Sequence, residues 1–156
     1  LDNKVGILVA TEVFKNSKNI GLVATVQEET TKIGASYAVT KIKPKKVIVL
    51  DVTYDEEKGI KIGNGPSVCL KDKLLPDNKL VRKIIKTSLK NKIPYQLEVL
   101  DSGGSDATVI YNANGYTPFI FLGLPIKNMH TPYEICSIED IKSTINLLSK
   151  FIEGEK

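Results

Sequence analysis

Residues 21–35 read GLVATVQEETTKIGA, and the way this stretch folds decides how the rest of the chain is arranged. Leu22 to Val26 is a short apolar run with β-branched members, which predicts a buried strand. It stops abruptly at Gln27, Glu28 and Glu29. Thr30 and Thr31 then offer hydroxyls as helix N-caps, and Ile33, Ala35, Tyr37 and Ala38 continue with helical spacing. The reading is therefore strand, turn, helix, with two adjacent carboxylates at the carboxyl end of a strand, the edge where open α/β sheets bind ligands. Acids in a first helical turn also complement the helix dipole, so the pair needs company elsewhere in the chain before it implies chemistry.

Working outward, Asp2 and Asn3 precede a helical pattern through Val5, Leu8, Val9, Val13 and Phe14, and Asp2 is placed as an N-cap. The helix after the Glu pair is expected to run to about Lys43, before Pro44. Residues 46–53 (KVIVLDVT) suit a strand covered on both faces. Asp51 interrupts that run, and a carboxylate buried there needs a partner, a metal or an edge position. Residues 59–66 (GIKIGNGP) fit no phosphate-loop spacing and read as a turn or a close backbone approach.

Pro76 and Asp77 open a helix striped by Leu80, Val81, Ile84, Ile85 and Leu89. Residues 95–100 (YQLEVL) alternate like a strand. Residues 101–106 (DSGGSD) form a glycine loop entering a helix through Ala107, Val109 and Ile110, with Ser105 and Asp106 as candidate caps. Residues 117–123 (TPFIFLG) are a further buried strand. His130 follows in an irregular segment, and a last helix from about Ile138 is expected to bury Ile141, Ile145, Leu148 and Ile152. The alternation predicts one α/β domain over residues 1–156, with no repeats and no internal boundary.

Composition narrows the function. With 42% apolar and 26% charged residues in 156, the chain can bury a substantial core. No apolar run is long enough to span a bilayer and no signal peptide is recognisable, so the expectation is a cytoplasmic protein without membrane contact. The net charge is +4, but Arg82 is the sole arginine among 22 basic residues. No aromatic residues interleave with the lysines, which argues for solvated faces and against nucleic acid. Cys69 and Cys136 are isolated and read as reduced thiols, not a disulfide or zinc knuckle. Leu1 is not an initiator residue, which leads to the expectation of a processed or partial chain.

The acids at strand ends are Asp2, Glu28, Glu29 and Asp51, and His130 is the single histidine. Carboxylates with imidazole form a hard-to-borderline donor set suited to zinc, cobalt or manganese. VATVQEETTKIGA, KVIVLDVTYD, GNGP, PYQLEVLDSGGSDAT and PIKNMHTPYE, in that order, resemble the dinuclear metallo-aminopeptidases that assemble as tetrahedral particles. Members of that family are often labelled deblocking or glutamyl aminopeptidases and sometimes endoglucanases. LDNKVG resembles the family segment that carries a metal-bridging aspartate.

The resemblance implies a three-layer α/β/α fold around a mixed, largely parallel sheet, incomplete at its amino end. The chain would be the carboxyl-terminal portion of a catalytic domain, lacking an upstream histidine and an inserted dimerisation domain. By the same resemblance Asp2 bridges two divalent ions, Glu29 and His130 complete one ion's shell, Asp51 binds the other, and Glu28 is the general base. Gly104 and Asp106 are the candidates for substrate contact. Peptides are the implied substrates and a tetrahedral dodecamer the implied assembly. With one imidazole missing, this chain is expected to hold at most one weak zinc or cobalt ion and to be inactive alone. Two other readings stand beside this one: a glycoside hydrolase using the Glu pair, and a non-catalytic domain that folds and self-associates.

Overall fold

The computed structural model describes residues 1–55, 59–100, 104–113 and 115–154. Among the described residues, five helices surround a five-stranded sheet: α1 (Lys4–Lys15), α2 (Ile33–Ile42), β1 (Val47–Tyr54), β2 (Ser67–Lys71), α3 (Asn78–Asn91), β3 (Gln96–Val99), α4 (Ala107–Asn112), β4 (Phe119–Lys127), β5 (Ile135–Cys136) and α5 (Ile138–Glu153). The strand order is β1-β4-β2-β3, with β5 paired to β4. β1 runs parallel to β4 from Val47 opposite Phe119 to Tyr54 opposite Ile126, and β2 runs parallel to β3. The β2–β4 and β4–β5 pairings are antiparallel. The sheet is thus mixed and largely parallel, as expected.

The central strand β4 is buried from Phe119 to Ile126, and its alternate side chains serve two cores, since successive residues of a strand face opposite sides. Ile120, Leu122, Leu124 and Ile126 pack with Val5, Val9 and Val13 of α1, Val81 and Ile84 of α3, and Leu147, Leu148 and Phe151 of α5. Phe119 and Phe121 pack with Ala35 and Val39 of α2 and Ala107 and Ile110 of α4. Helices therefore cover both faces, giving the three-layer arrangement.

Several local expectations are corrected. Residues 21–25 form no strand, and Leu22, Val23 and Val26 are exposed. A run of β-branched residues becomes a strand only where a neighbouring backbone pairs with it, and among the described residues none pairs with this one. Glu28 and Glu29 therefore sit in a turn that follows an irregular segment, not at the end of a strand. Thr30 and Thr31 do not cap α2. Thr31 donates its hydroxyl hydrogen to Gln27 Oε1 at 2.8 Å, and the helix starts after Lys32, which takes a left-handed conformation without a side-chain cap. The N-cap of α1 is Asn3, whose side chain accepts from the Gly6 N–H, and not Asp2.

β2 was not anticipated, because SVCLK mixes polar and apolar residues without a clean period. The helix stripes also rotate. Leu8, Phe14 and Leu89 face solvent, while α5 buries Asp140, Thr144, Leu147, Leu148 and Phe151, leaving Ile141, Ile145 and Ile152 only partly covered. Asp140 is on the inside because its two carboxylate oxygens each accept a 2.7 Å hydrogen bond, from the Gly63 and Gly65 amides. Gly65 has φ +87°, and a Cβ there would lie 2.3 Å from the Pro94 carbonyl oxygen. The GNGP turn is therefore a close backbone approach stapled to α5.

Candidate metal centre

Three segments far apart in sequence deliver Asp2, Glu29 and His130 to one place. Each offers a ligand atom, and these atoms lie within 4.8 Å of one another. His130 Nε2 is 3.3 Å from Asp2 Oδ2 and 3.7 Å from Glu29 Oε1.

Local structure explains each placement. Asp2 stands one residue before the Asn3 cap, and Asn3 Nδ2 donates to the Leu50 carbonyl at 2.7 Å, fastening the start of α1 to β1 beside Asp51. The Glu28–Glu29 turn is built by Gln27, at φ +62°, whose carbonyl accepts the Lys32 N–H at 2.7 Å. Gly34 lets the turn fold back on the helix, because a Cβ there would lie 2.6 Å from both the nitrogen and the oxygen of Val26. His130 lies in the loop between β4 and β5 at φ +62°, with its ring edge-on to Tyr54 at 6.4 Å.

Of the remaining candidates, Glu28, Asp51 and Asp106 line the same groove as Asp2 and Glu29. Asp51 is not one of the three clustered donors but is close enough to feel Glu28, Asp2 and Asp106. Burial and those acids push its carboxyl up to about 7, against a hydrogen bond from the Val52 N–H that favours the ionised form. Asp2 is raised by burial first and by Glu29 second. Glu28 makes no part of the three-residue set, and Lys32 Nζ meets both its carbonyl and its Oε1 at 2.5 Å.

Asp106 stands at the start of α4 but makes no side-chain cap: its Oδ2 accepts from the Thr25 hydroxyl at 2.6 Å, and its buried Oδ1 has no hydrogen-bond partner among the described residues. Ser105 Oγ accepts the Ala107 N–H at 3.3 Å instead. Gly104 adjoins Thr108 and the Lys32 stem. Residues 101–103 of the glycine loop lie outside the described residues. A groove of about 1470 Å³ has Asp2, Glu28, Glu29, Asp51 and Asp106 along its wall.

The donor set fits a divalent, borderline cation: two carboxylates and an imidazole converge, and acids with raised proton affinity crowd the same spot, so a cation would displace protons and relieve repulsion. Cys69 and Cys136 are both free, and burial pushes the Cys69 thiol up to about 12, which removes thiolate ligation from consideration there.

Sequence reasoning missed Glu134. One of its oxygens accepts the Asp2 N–H at 3.0 Å and also meets the Leu1 ammonium, and the other accepts the His130 N–H at 2.9 Å. These contacts, the Leu1 ammonium first, hold its carboxyl down to about 2. Its place four residues after His130 was visible in HTPYE, but no periodicity or motif says that a carboxylate will turn back onto two amides. Among the described residues no helix is long and apolar enough to cross a membrane.

Comparison with known proteins finds relatives along nearly the whole of this chain. A protein of Acetivibrio thermocellus described as a candidate aminopeptidase is 37% identical over 163 residues, covering 97% of this chain and 49% of the relative. A lysyl aminopeptidase of Pyrococcus furiosus is 30% identical, over 96% of this chain and 45% of its own length. Aminopeptidase APDkam598 of Desulfurococcus kamchatkensis superposes with a TM-score of 0.89 at 27% identity, over 97% of this chain and 47% of that one. The chain thus spans about half the length of the relatives it matches. The M42 glutamyl aminopeptidase profile matches residues 1–147, and with the fold and donor cluster above it, the chain belongs to that family.

Proposed function

We propose that this chain is the metal-binding portion of an aminopeptidase that removes the first residue of a peptide by water attack on the peptide carbonyl. The observation that carries the reading is the convergence of Asp2, Glu29 and His130 from three distant segments, with Glu28 next to them but outside the set. Asp2, Glu29 and His130 would hold one divalent ion, zinc or cobalt, and Asp51 with a share of Asp2 would serve a second. The ions would supply Lewis-acid polarisation of the carbonyl and a more acidic water.

Glu28 does the proton work: its carboxylate takes a proton from the attacking water and returns it to the leaving amine nitrogen as the C–N bond breaks. Lys32 holds Glu28 by carbonyl and carboxylate, which orients the base away from ligation. The Oδ1 of Asp106, which has no hydrogen-bond partner among the described residues, suits the substrate's terminal ammonium, with Gly104 two positions before it. Self-association belongs to the same proposal, because Ile33, Tyr37 and Ile42 leave α2 with an exposed apolar surface.

Three donors gather for one ion and two for the other, so Leu1–Lys156 alone is expected to bind at most one zinc or cobalt ion, weakly, with no measurable turnover of an amino-acid anilide. Calorimetric titration beside that assay tests this, and two tight sites with robust turnover would refute the donor assignment. Glu28→Gln should change ion affinity less than about threefold, whereas Glu29→Gln should weaken it at least tenfold. Equal losses in both variants would make Glu28 a ligand and remove the assigned base.

A further inference from the structure

We propose that Glu134 is a positioning residue that pre-assembles the Asp2–His130 pair by clamping the two backbones together. The inference rests on the reading of Asp2, Glu29 and His130 as the ion-binding set.

Asp2 and His130 are 128 positions apart, and one carboxylate bridges their backbones. Glu134 Oε2 accepts the Asp2 N–H at 3.0 Å and Oε1 accepts the His130 N–H at 2.9 Å, so the two oxygens span the two residues. The side chain of Glu134 is only 8% exposed, against 55% for His130. Its oxygens are engaged by the two main-chain amides and the Leu1 ammonium. His130 is also held in a left-handed backbone conformation, which a histidine adopts uncommonly and which a loop keeps only when its surroundings enforce it. The loop supplies further restraint, since Asn128 Nδ2 donates to the Tyr133 carbonyl at 3.1 Å and the Thr131 hydroxyl donates to the Asn128 carbonyl at 2.7 Å.

An ordinary structural role would be an ion pair with the Leu1 ammonium, which also meets Oε2. The clamp differs in that its work is done through the Asp2 and His130 amides. Ordering two ligands before the ion arrives removes that entropic cost from binding, so loss of the clamp falls on ion affinity.

The test is zinc titration of the chain by calorimetry, for the parent sequence, Glu134→Gln and Glu134→Asp, with the α-amine free or acetylated. Glutamine keeps the size and one oxygen but cannot accept at both amides; the expected result is zinc affinity reduced about ten- to a hundredfold, with circular dichroism unchanged and partial recovery in Glu134→Asp. Amide hydrogen exchange in chelator gives a reading without zinc: the His130 amide should exchange at least tenfold faster in Glu134→Gln.

Zinc affinity within twofold of the parent, or unchanged His130 exchange, overturns the proposal. Acetylation that alone weakens zinc as much as Glu134→Gln overturns the amide clamp in favour of the terminal ion pair. Absence of zinc binding by the parent chain overturns the ion-site reading itself; accelerated His130 exchange in Glu134→Gln then still shows the clamp on the backbone, and unchanged exchange removes both.

Discussion

Replacing Asp51 by asparagine should stabilise the metal-free chain at alkaline pH. Asp51 sits on β1 among Asp2, Glu28 and Asp106, and burial with those acids lifts its carboxyl to about 7, while an aspartate in an unfolded chain titrates near 3.9. The folded chain therefore holds this proton more tightly than the unfolded chain, so folding takes up a proton between about pH 4 and pH 7 and stability declines as pH rises across that window. A displacement of about three units corresponds to roughly 4 kcal/mol once both states are ionised. Asp51 is partly accessible, and rearrangement of the groove reduces this to about 2–4 kcal/mol.

Asparagine preserves the oxygen that accepts the Val52 N–H and removes the charge. The variant is expected to melt about 5–15 °C higher than the parent at pH 8 in chelator, using about 2–4 °C per kcal/mol for a chain of this size. Near pH 4 the two should differ by little, because Asp51 is neutral in the folded parent. Thermal melts followed by circular dichroism at both pH values provide the measurement. A shift of equal size at both, or none at pH 8, would show that Asp51 is not a strained carboxylate and would refute the electrostatic account of the groove.

Other perturbations probe the same framework. His130→Ala should abolish zinc binding with little change in melting temperature, since the residue lies on an exposed loop, and parent affinity should weaken on acidification because only a neutral imidazole ligates; calorimetry at two pH values checks both. Asp140→Ala leaves the Gly63 and Gly65 amides without their acceptor and should cost about 2–5 kcal/mol in urea unfolding, with zinc affinity at low denaturant unchanged. Gly34→Ala forces a Cβ onto the Val26 backbone and should weaken zinc binding through displacement of the Glu28–Glu29 turn, which a titration of the folded variant would register.

Much of this architecture is determined locally. The apolar run of β1, the unbroken burial of β4, the Asp77 cap before α3 and the Ser137 cap before α5 each rest on short-range physics, periodicity, side-chain hydrogen bonds to free amides and Pro or Gly punctuation. The candidate donors stood out as residue types, acids near apolar runs and a single histidine, but that pattern also fits caps and surface residues, and their assignment as ligands is what the family resemblance implies. What tertiary structure alone decided is anything that depends on a partner distant in sequence. Leu22 to Val26 has strand composition but, among the described residues, no strand pairs with it, and the Thr30–Thr31 hydroxyls found Gln27 closer than the helix amides. Which of Asp2, Glu28, Glu29 and Asp51 join His130 was likewise undecidable from spacing, because the meeting point is created by the β1–β4 pairing and by a glutamate, Glu134, whose carboxylate reaches across 132 positions to the amide of Asp2.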